Sequence, residues 1–215
     1  MSSHHFVKEG QEPALIIANG AMCSYDMLTS LMEWCPYIVV LDGAYQRVID
    51  LQITPDVVIG DFDSIQSFEK KLNIEYLKMD SQEDTDLEKA IVFLVNKGYN
   101  DINVVWATGN RLDHTINNFA TLAKHSNTRI VLYDDHSKAF VLPKKYAKHY
   151  NKHDALSLVP IHSSSGIHTT NLTYNLTNES LTFGQRSGTS NSALKSGIVE
   201  ITYEDGVLVL IESKD

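Results

Sequence analysis

The chain has 215 residues, 43% of them hydrophobic and 21% charged, with 27 acidic against 18 basic side chains and a formal net charge of −9. That length carries one large domain or two small ones around a real core, and the composition excludes disordered and fibrous classes. No run nears the ~20 apolar residues of a membrane span, no signal peptide precedes the first apolar segment, and the acidity argues against a nucleic-acid or anionic-membrane footprint, so a cytoplasmic protein is expected.

The first apolar run, residues 14–18, reads as a strand. Cys23 and Cys35 flank a helix-like stretch without CxxC or Cys/His spacing, so they read as free thiols and exclude a zinc or disulfide framework. Residues 37–41 read as a second strand that turns through Asp42-Gly43-Ala44 into a helix, and 56–59, 74–79, 102–107 and 129–133 as further strands. Residues 85–97 put Leu87, Ala90, Ile91, Leu94 and Val95 on one helical face, and 111–125 does the same with Leu112, Ile116, Phe119, Ala120 and Ala123. Both are expected to pack those faces on a sheet. Alternation at this spacing predicts right-handed βαβ units, a mostly parallel sheet flanked by helices, and a ligand site beyond the carboxyl ends of the strands.

After about residue 137 the pattern changes. A lysine-rich stretch, 144–152, reads as a linker, and its His149 with the nearby His153 as exposed and unpaired. Thr-, Ser-, Asn- and Val-rich segments broken by glycine then predict an all-β domain with strands at 155–161, 180–183, 198–203 and 207–211. The last two are expected to pair through a hairpin turn at Glu204-Asp205-Gly206. The division expected is therefore an α/β domain over 1–140 and an all-β domain over 141–215. Three formal glycosylation sequons in the second part, at Asn171, Asn175 and Asn178, are read as turn and strand residues.

The acidity is local. Residues 42–86 hold eight aspartates with Glu69, Glu75 and Glu83 against Arg47, Lys70, Lys71 and Lys78, a net charge of −7. Aspartate disfavours helix and strand interiors and prefers caps, turns and strand ends. In Pro55-Asp56-Val-Val-Ile-Gly60-Asp61-Phe62-Asp63-Ser64 an apolar strand runs into two aspartates one residue apart, which on extended backbone would share a face and converge on one hard cation. The competing reading is that Asp63 and Gln66 form a capping box while Asp61 is a solvated loop charge. A second cluster, Asp80-Ser-Gln82-Glu83-Asp84-Thr85-Asp86-Leu-Glu88, opens the next helix; Thr85 with Glu88 has capping-box spacing, yet capping does not require four acids in seven residues. A third, Thr108-Gly109-Asn110-Arg111-Leu112-Asp113-His114 with Asn117, follows a strand and starts a helix, where free amides and Arg111 suit phosphate, or Arg111 simply pairs with Asp113. Crowded carboxylates on one rim repel, and a bound cation resolves that repulsion. GxxxxGK[ST] and GxGxxG are both absent.

Taken in order and spacing, Asp42-Gly43-Ala44, the stretch from Pro55 to Ser64, Asp84-Thr-Asp-Leu-Glu-Lys-Ala90 and Thr108-Gly-Asn-Arg-Leu-Asp-His114 with Asn117 resemble the thiamine pyrophosphokinase family. Residues 166–176 and Gly188-Thr-Ser-Asn191 resemble that family's C-terminal β-sandwich domain, so the resemblance covers nearly the whole chain. It implies Mg²⁺-dependent transfer of the pyrophosphoryl group of ATP to the hydroxyl of thiamine, giving thiamine diphosphate and AMP. It also implies a homodimer whose sites are composed from both subunits. By the same resemblance Asp61, Asp63 and Asp86 are the Mg²⁺ ligands, and Arg111 and Asp113 act around the phosphates. Asp42 lines the nucleotide end, Gln82 and Ser190 lie near thiamine, and Asn19, Gly43 and Asn191 are further substrate contacts. Asp84, Thr85, Gly109, His114 and Asn117 complete the implied substrate contacts. One departure from the family pattern is Asn110, where many relatives carry a second glycine; another is that no tryptophan follows Trp106.

Other classes remain open to test. A pyrophosphokinase for a different alcohol would share the acidic rim, a nucleotide-sugar transferase would need only the Asp61-x-Asp63 pair, and a sensor would bind without turnover.

Overall fold

A computed structural model of the chain describes residues 12–63, 73–79 and 83–214. The fold is mixed α/β and divides into two compact units, Met1–Asn118 with Thr128–Asp135 and Phe119–Asn127 with His136–Asp215. The chain changes unit after Asn118, after Asn127 and after Asp135.

In the first unit β1 (Ala14–Ile17), β2 (Tyr37–Leu41), β3 (Val57–Gly60), β4 (Glu75–Lys78), β5 (Asp101–Val105) and β6 (Arg129–Tyr133) pair in parallel in the order β4-β3-β2-β1-β5-β6. Successive strands step outward from β1 to β4, and β5 then returns to the other side of β1. The space between β1 and β5 is therefore a topological switch point, where open α/β sheets bind ligands. β1 and β3 are buried at every position, as a parallel sheet covered on both faces requires, while β4 at the edge is half exposed. Leu15, Ile17, Val40, Val58 and Val105 from the sheet join Leu28 of α1 (Tyr25–Trp34) and Tyr45 and Val48 of α2 (Tyr45–Asp50) in one core.

Two further helices follow, α3 (Asp86–Asn96) and α4 (Leu112–Lys124). Thr85 caps α3, its hydroxyl accepting from the Glu88 N–H at 3.4 Å, and Leu87, Ala90, Ile91 and Leu94 are buried as expected, although Val95 is exposed. α4 departs from expectation. Leu112 and Ile116, assigned to the inner face, are 77% and 70% exposed, and the buried positions are Asn118, Thr121 and Leu122. Asn118 Nδ2 donates to the Ala107 carbonyl at 2.7 Å, which ties the helix to the end of β5 with this polar residue on its inner face. Among the described residues no helix is long and apolar enough to cross a membrane.

The second unit is built on β9 (Ala155–Thr170), a 16-residue strand whose buried positions mostly alternate. β10 (Thr177–Thr182) and β11 (Gly188–Ser192) pair with it, as do β12 (Gly197–Thr202) and β13 (Asp205–Ser213), all antiparallel. β7 (Ser137–Val141) adds to β13, and β8 (Lys145–Tyr150) to β12. The stretch read as a linker is thus largely strand β8. The hairpin expected between 198–203 and 207–211 does not form. β12 and β13 run on as one path along β9, from Glu200 opposite Thr170 to Ser213 opposite Ala155, with a bulge between Gly206 and Val207. β9 carries the extra residues there, and His162 adopts φ 68. Leu156, Leu158, Ile167, Val199, Leu208 and Leu210 form the core of this unit.

Glu212 of β13 is 12% exposed and organises one face of the second unit. Its carboxylate accepts from Lys148 at 2.9 Å and from the Tyr146 and Tyr150 hydroxyls at 3.2 and 2.5 Å, and pairs with Lys138 at 2.8 Å. Burial alone would raise its pKa, but the donors from Lys138, Tyr150 and Lys148 outweigh burial and hold it down at about 2.

Candidate active site

A cleft of about 270 Å³ opens at the carboxyl ends of the first unit's strands. Ala18, Asn19 and Gly20 reach it from β1, Leu41 and Asp42 from β2, Asp61 from β3, and Trp106, Ala107 and Gly109 from β5. Asp84 to Leu87 and Lys89 come from the start of α3, and Arg111, His114 and Asn118 from the start of α4. Its volume lies near the lower end of small-molecule sites.

Asp42 stands behind the cleft floor at 7% exposure. One carboxylate oxygen accepts from its neighbour's amide, Gly43 N–H, at 2.6 Å, and the other from Phe62 N–H at 2.9 Å, so it latches the turn after β2 to the turn after β3. This approach explains Gly60, where a Cβ would lie 2.2 Å from Asp42 Cγ. Burial raises the Asp42 pKa, partly offset by the Phe62 amide, and the Asp86 and Asp61 charges push it the same way as burial.

The extended-backbone premise for Asp61 and Asp63 does not hold. Phe62 has φ 62, which turns the chain between them, and the Asp63 N–H donates back to Asp61 Oδ1 at 3.1 Å. Asp61 lines the cleft, whereas Asp63 is exposed outside it. Among the described residues no three His, Cys, Asp or Glu side chains gather as a ready-made metal cage. A hard cation such as Mg²⁺ does not require one, because it binds through one or two carboxylates and completes its shell with water and phosphate oxygens. The carboxylates of Asp61, Asp84 and Asp86, which line the same cleft, have the right chemistry for that.

Opposite the acids stand two cations. Lys89, missed in the sequence reading, is buried three residues after Asp86, and its Nζ bridges the Met79 carbonyl at 3.1 Å and Asp86 Oδ1 at 3.0 Å. The i, i+3 spacing of Asp86 and Lys89 was the signal that could have found it. Arg111 lines the cleft and also pairs with Asp113 through two hydrogen bonds, which lower the Asp113 pKa to about 2. The pairing of Arg111 with Asp113 is thus present, on a side chain that also borders the cleft. Gly109 and Asn110 adopt φ 73 and 52, so Asn110 takes a left-handed conformation that asparagine tolerates better than most residues.

Thr85 and His114 line the cleft as expected. Asp113 and Asn117 are exposed on α4 outside it, and Gly43 lies behind Asn19. Gln82 lies outside the described residues. In the second unit Ser190 is exposed with φ 57, and the side-chain amide of Asn191 in β11 ties that strand to Tyr174, accepting from the Tyr174 and Ser192 N–H groups and donating to the Tyr174 carbonyl. Trp106, Gly20 and Asn118 also line the cleft without having been singled out as site residues.

Two family models match the chain: thiamin pyrophosphokinase, catalytic domain, over residues 28–133, and thiamin pyrophosphokinase, vitamin B1 binding domain, over residues 143–208. Thiamine pyrophosphokinase 1 of Oryza sativa subsp. japonica is 30% identical over 82% of this chain and 79% of its own. Thiamine pyrophosphokinase of Bacillus subtilis (strain 168) is 29% identical over 93% of this chain and 98% of its own. The crystal structure of thiamine pyrophosphokinase from Bacillus subtilis superposes with a TM-score of 0.81 at 24% identity, covering 95% of this chain and all of that one, a likeness of fold.

Proposed function

The chain belongs to the thiamin pyrophosphokinase family and is a thiamine diphosphokinase, and from that premise we propose that it transfers the pyrophosphoryl group of ATP to thiamine with Mg²⁺. The thiamine hydroxyl oxygen attacks the β-phosphorus, the bond between the α- and β-phosphoryl groups breaks, and the products are thiamine diphosphate, AMP and a proton.

The observation that carries this reading is the charge pattern of the cleft, four aspartates facing Lys89 and Arg111 at a strand switch point. Transfer of this kind is mostly positioning and charge neutralisation. Asp61 and Asp86 hold the Mg²⁺, with Asp63 and Asp84 beside them, and the ion when bound neutralises phosphate charge. Arg111 contacts the phosphates, Lys89 keeps Asp86 in place, and Asp42 holds the Asp61 turn from behind. Asp113 orients Arg111 through their bidentate pair. The second unit, read as a β-sandwich, supplies the thiamine contacts, Ser190 and Asn191 among them, and Gln82 adds another. The enzyme acts as a homodimer with composite sites; the exposed Tyr174, Phe183, Leu194 and Ile198 support an interface in that unit.

Incubation with ATP, thiamine and Mg²⁺ tests the reading. AMP and thiamine diphosphate are expected in equal amounts. ADP as the sole nucleotide product, or AMP release that does not depend on thiamine, overturns it, and faster turnover of a competing alcohol reassigns the acceptor.

A further inference from the structure

Arg47 of α2 differs from every other arginine in the chain. Arg111 pairs with Asp113, Arg129 with Asp101 and Arg186 with Glu179, whereas Arg47 has no carboxylate partner among the described residues. Its guanidinium is partly buried, and that burial lowers its pKa. A desolvated cation without an acid is an unfavourable arrangement unless it is spent on other contacts.

All of its contacts go to the wall of the cleft. Nη1 donates to the Gly20 carbonyl at 2.9 Å, Nη2 to Asn19 Oδ1 at 2.6 Å, and the guanidinium carbon lies 4.8 Å from the centre of the Trp106 ring. Asn19, Gly20 and Trp106 all line the cleft, while Arg47 does not. The turn after β1 is held on its other side by the turn after β5, through Gly20 N–H to the Trp106 carbonyl at 2.5 Å and Ala21 N–H to the Thr108 carbonyl at 2.8 Å. Asn19 is also boxed in from beneath, since a Cβ on Gly43 would lie 2.1 Å from its Nδ2. Asn19 is exposed and on a turn, and Arg47 is the side chain that holds its amide oxygen.

We propose that Arg47 is a positioning residue for nucleotide binding, clamping Asn19 and Gly20 against Trp106 so that the Asn19 amide and the turn after β1 present a fixed wall to ATP. The proposal rests on the function assigned above. A planar guanidinium is required, because two divergent N–H groups and one stacking face are used together, and a lysine ammonium has no such face.

Steady-state kinetics of Arg47→Met, Arg47→Lys, Asn19→Ala and the Arg47→Met/Asn19→Ala double variant test it, with thermal melts run alongside. Arg47→Met is expected to raise KM for ATP about tenfold, with kcat per folded enzyme and KM for thiamine within about twofold. Arg47→Lys is expected to recover only part of that loss. The double variant is expected to be no worse for ATP than the poorer single variant, because both remove one unit. A purely structural role would lower the melting temperature and the folded fraction without moving KM for ATP. That result overturns the proposal, as does full additivity of Arg47→Met and Asn19→Ala. Wild-type enzyme that makes no AMP from ATP and thiamine would overturn the function itself, a failure seen before any variant is made.

Discussion

Single residues in this chain do work that their identity alone does not announce. Asp42 was visible as part of an acidic motif, but its role as a latch between two turns depends on the Phe62 amide 20 positions away. Glu212 carried no sequence signal and yet holds two lysines and two tyrosines together. Its pKa is depressed from 4.5 to about 2 in the folded chain, so it contributes stability that is fully present above pH 4.5 and lost as pH falls through about 2. Glu212→Gln is expected to destabilise the protein by about 1–3 kcal/mol at pH 7, since both lysines lose their acid. Urea unfolding at a series of pH values checks this: the gap between wild type and variant should narrow as pH falls from 4.5 towards 2, and a gap independent of pH would contradict the assignment.

Elements were read most securely where one period dominated. The strands at 37–41 and 129–133 stand where their apolar runs placed them, and α3 begins at its Thr85 cap. α4 stands at its expected residues with a different face inward: Asn118, bonded to Ala107, is buried there while Leu112 and Ile116 are exposed. That inversion predicts an unusual mutational pattern, measurable by denaturant titration. Leu122→Ala is expected to cost about 2–4 kcal/mol as a buried leucine, whereas Ile116→Ala is expected to cost less than about 1 kcal/mol. Equal losses would restore the stripe to the interior. The misread hairpin has a similar origin. Glu204-Asp205-Gly206 has turn chemistry, but β12 and β13 both find better partners along β9, and the glycine serves beside a bulge.

For the whole molecule, the net charge of −9 is concentrated in residues 42–86, and four of the aspartates there line one cleft. The reading of that cleft as a Mg²⁺-dependent phosphate site predicts that excess chelator abolishes turnover and that added Mg²⁺ restores it. Turnover that persists in excess EDTA would show that the carboxylates serve another purpose. The sequence by itself determined the family, the alternation of strand and helix that makes the first unit, and the turns that carry the acids, because periodicity and local turn chemistry are properties of neighbouring residues. Only the tertiary structure decided that Asp61 lines the cleft while the exposed Asp63 does not, that Lys89 closes on Asp86, and that Arg47 reaches from α2 to brace Asn19 and Gly20. Those outcomes depend on a backbone turn at Phe62 and on contacts between elements far apart in the chain, and spacing along the sequence does not encode the direction in which a side chain finally points.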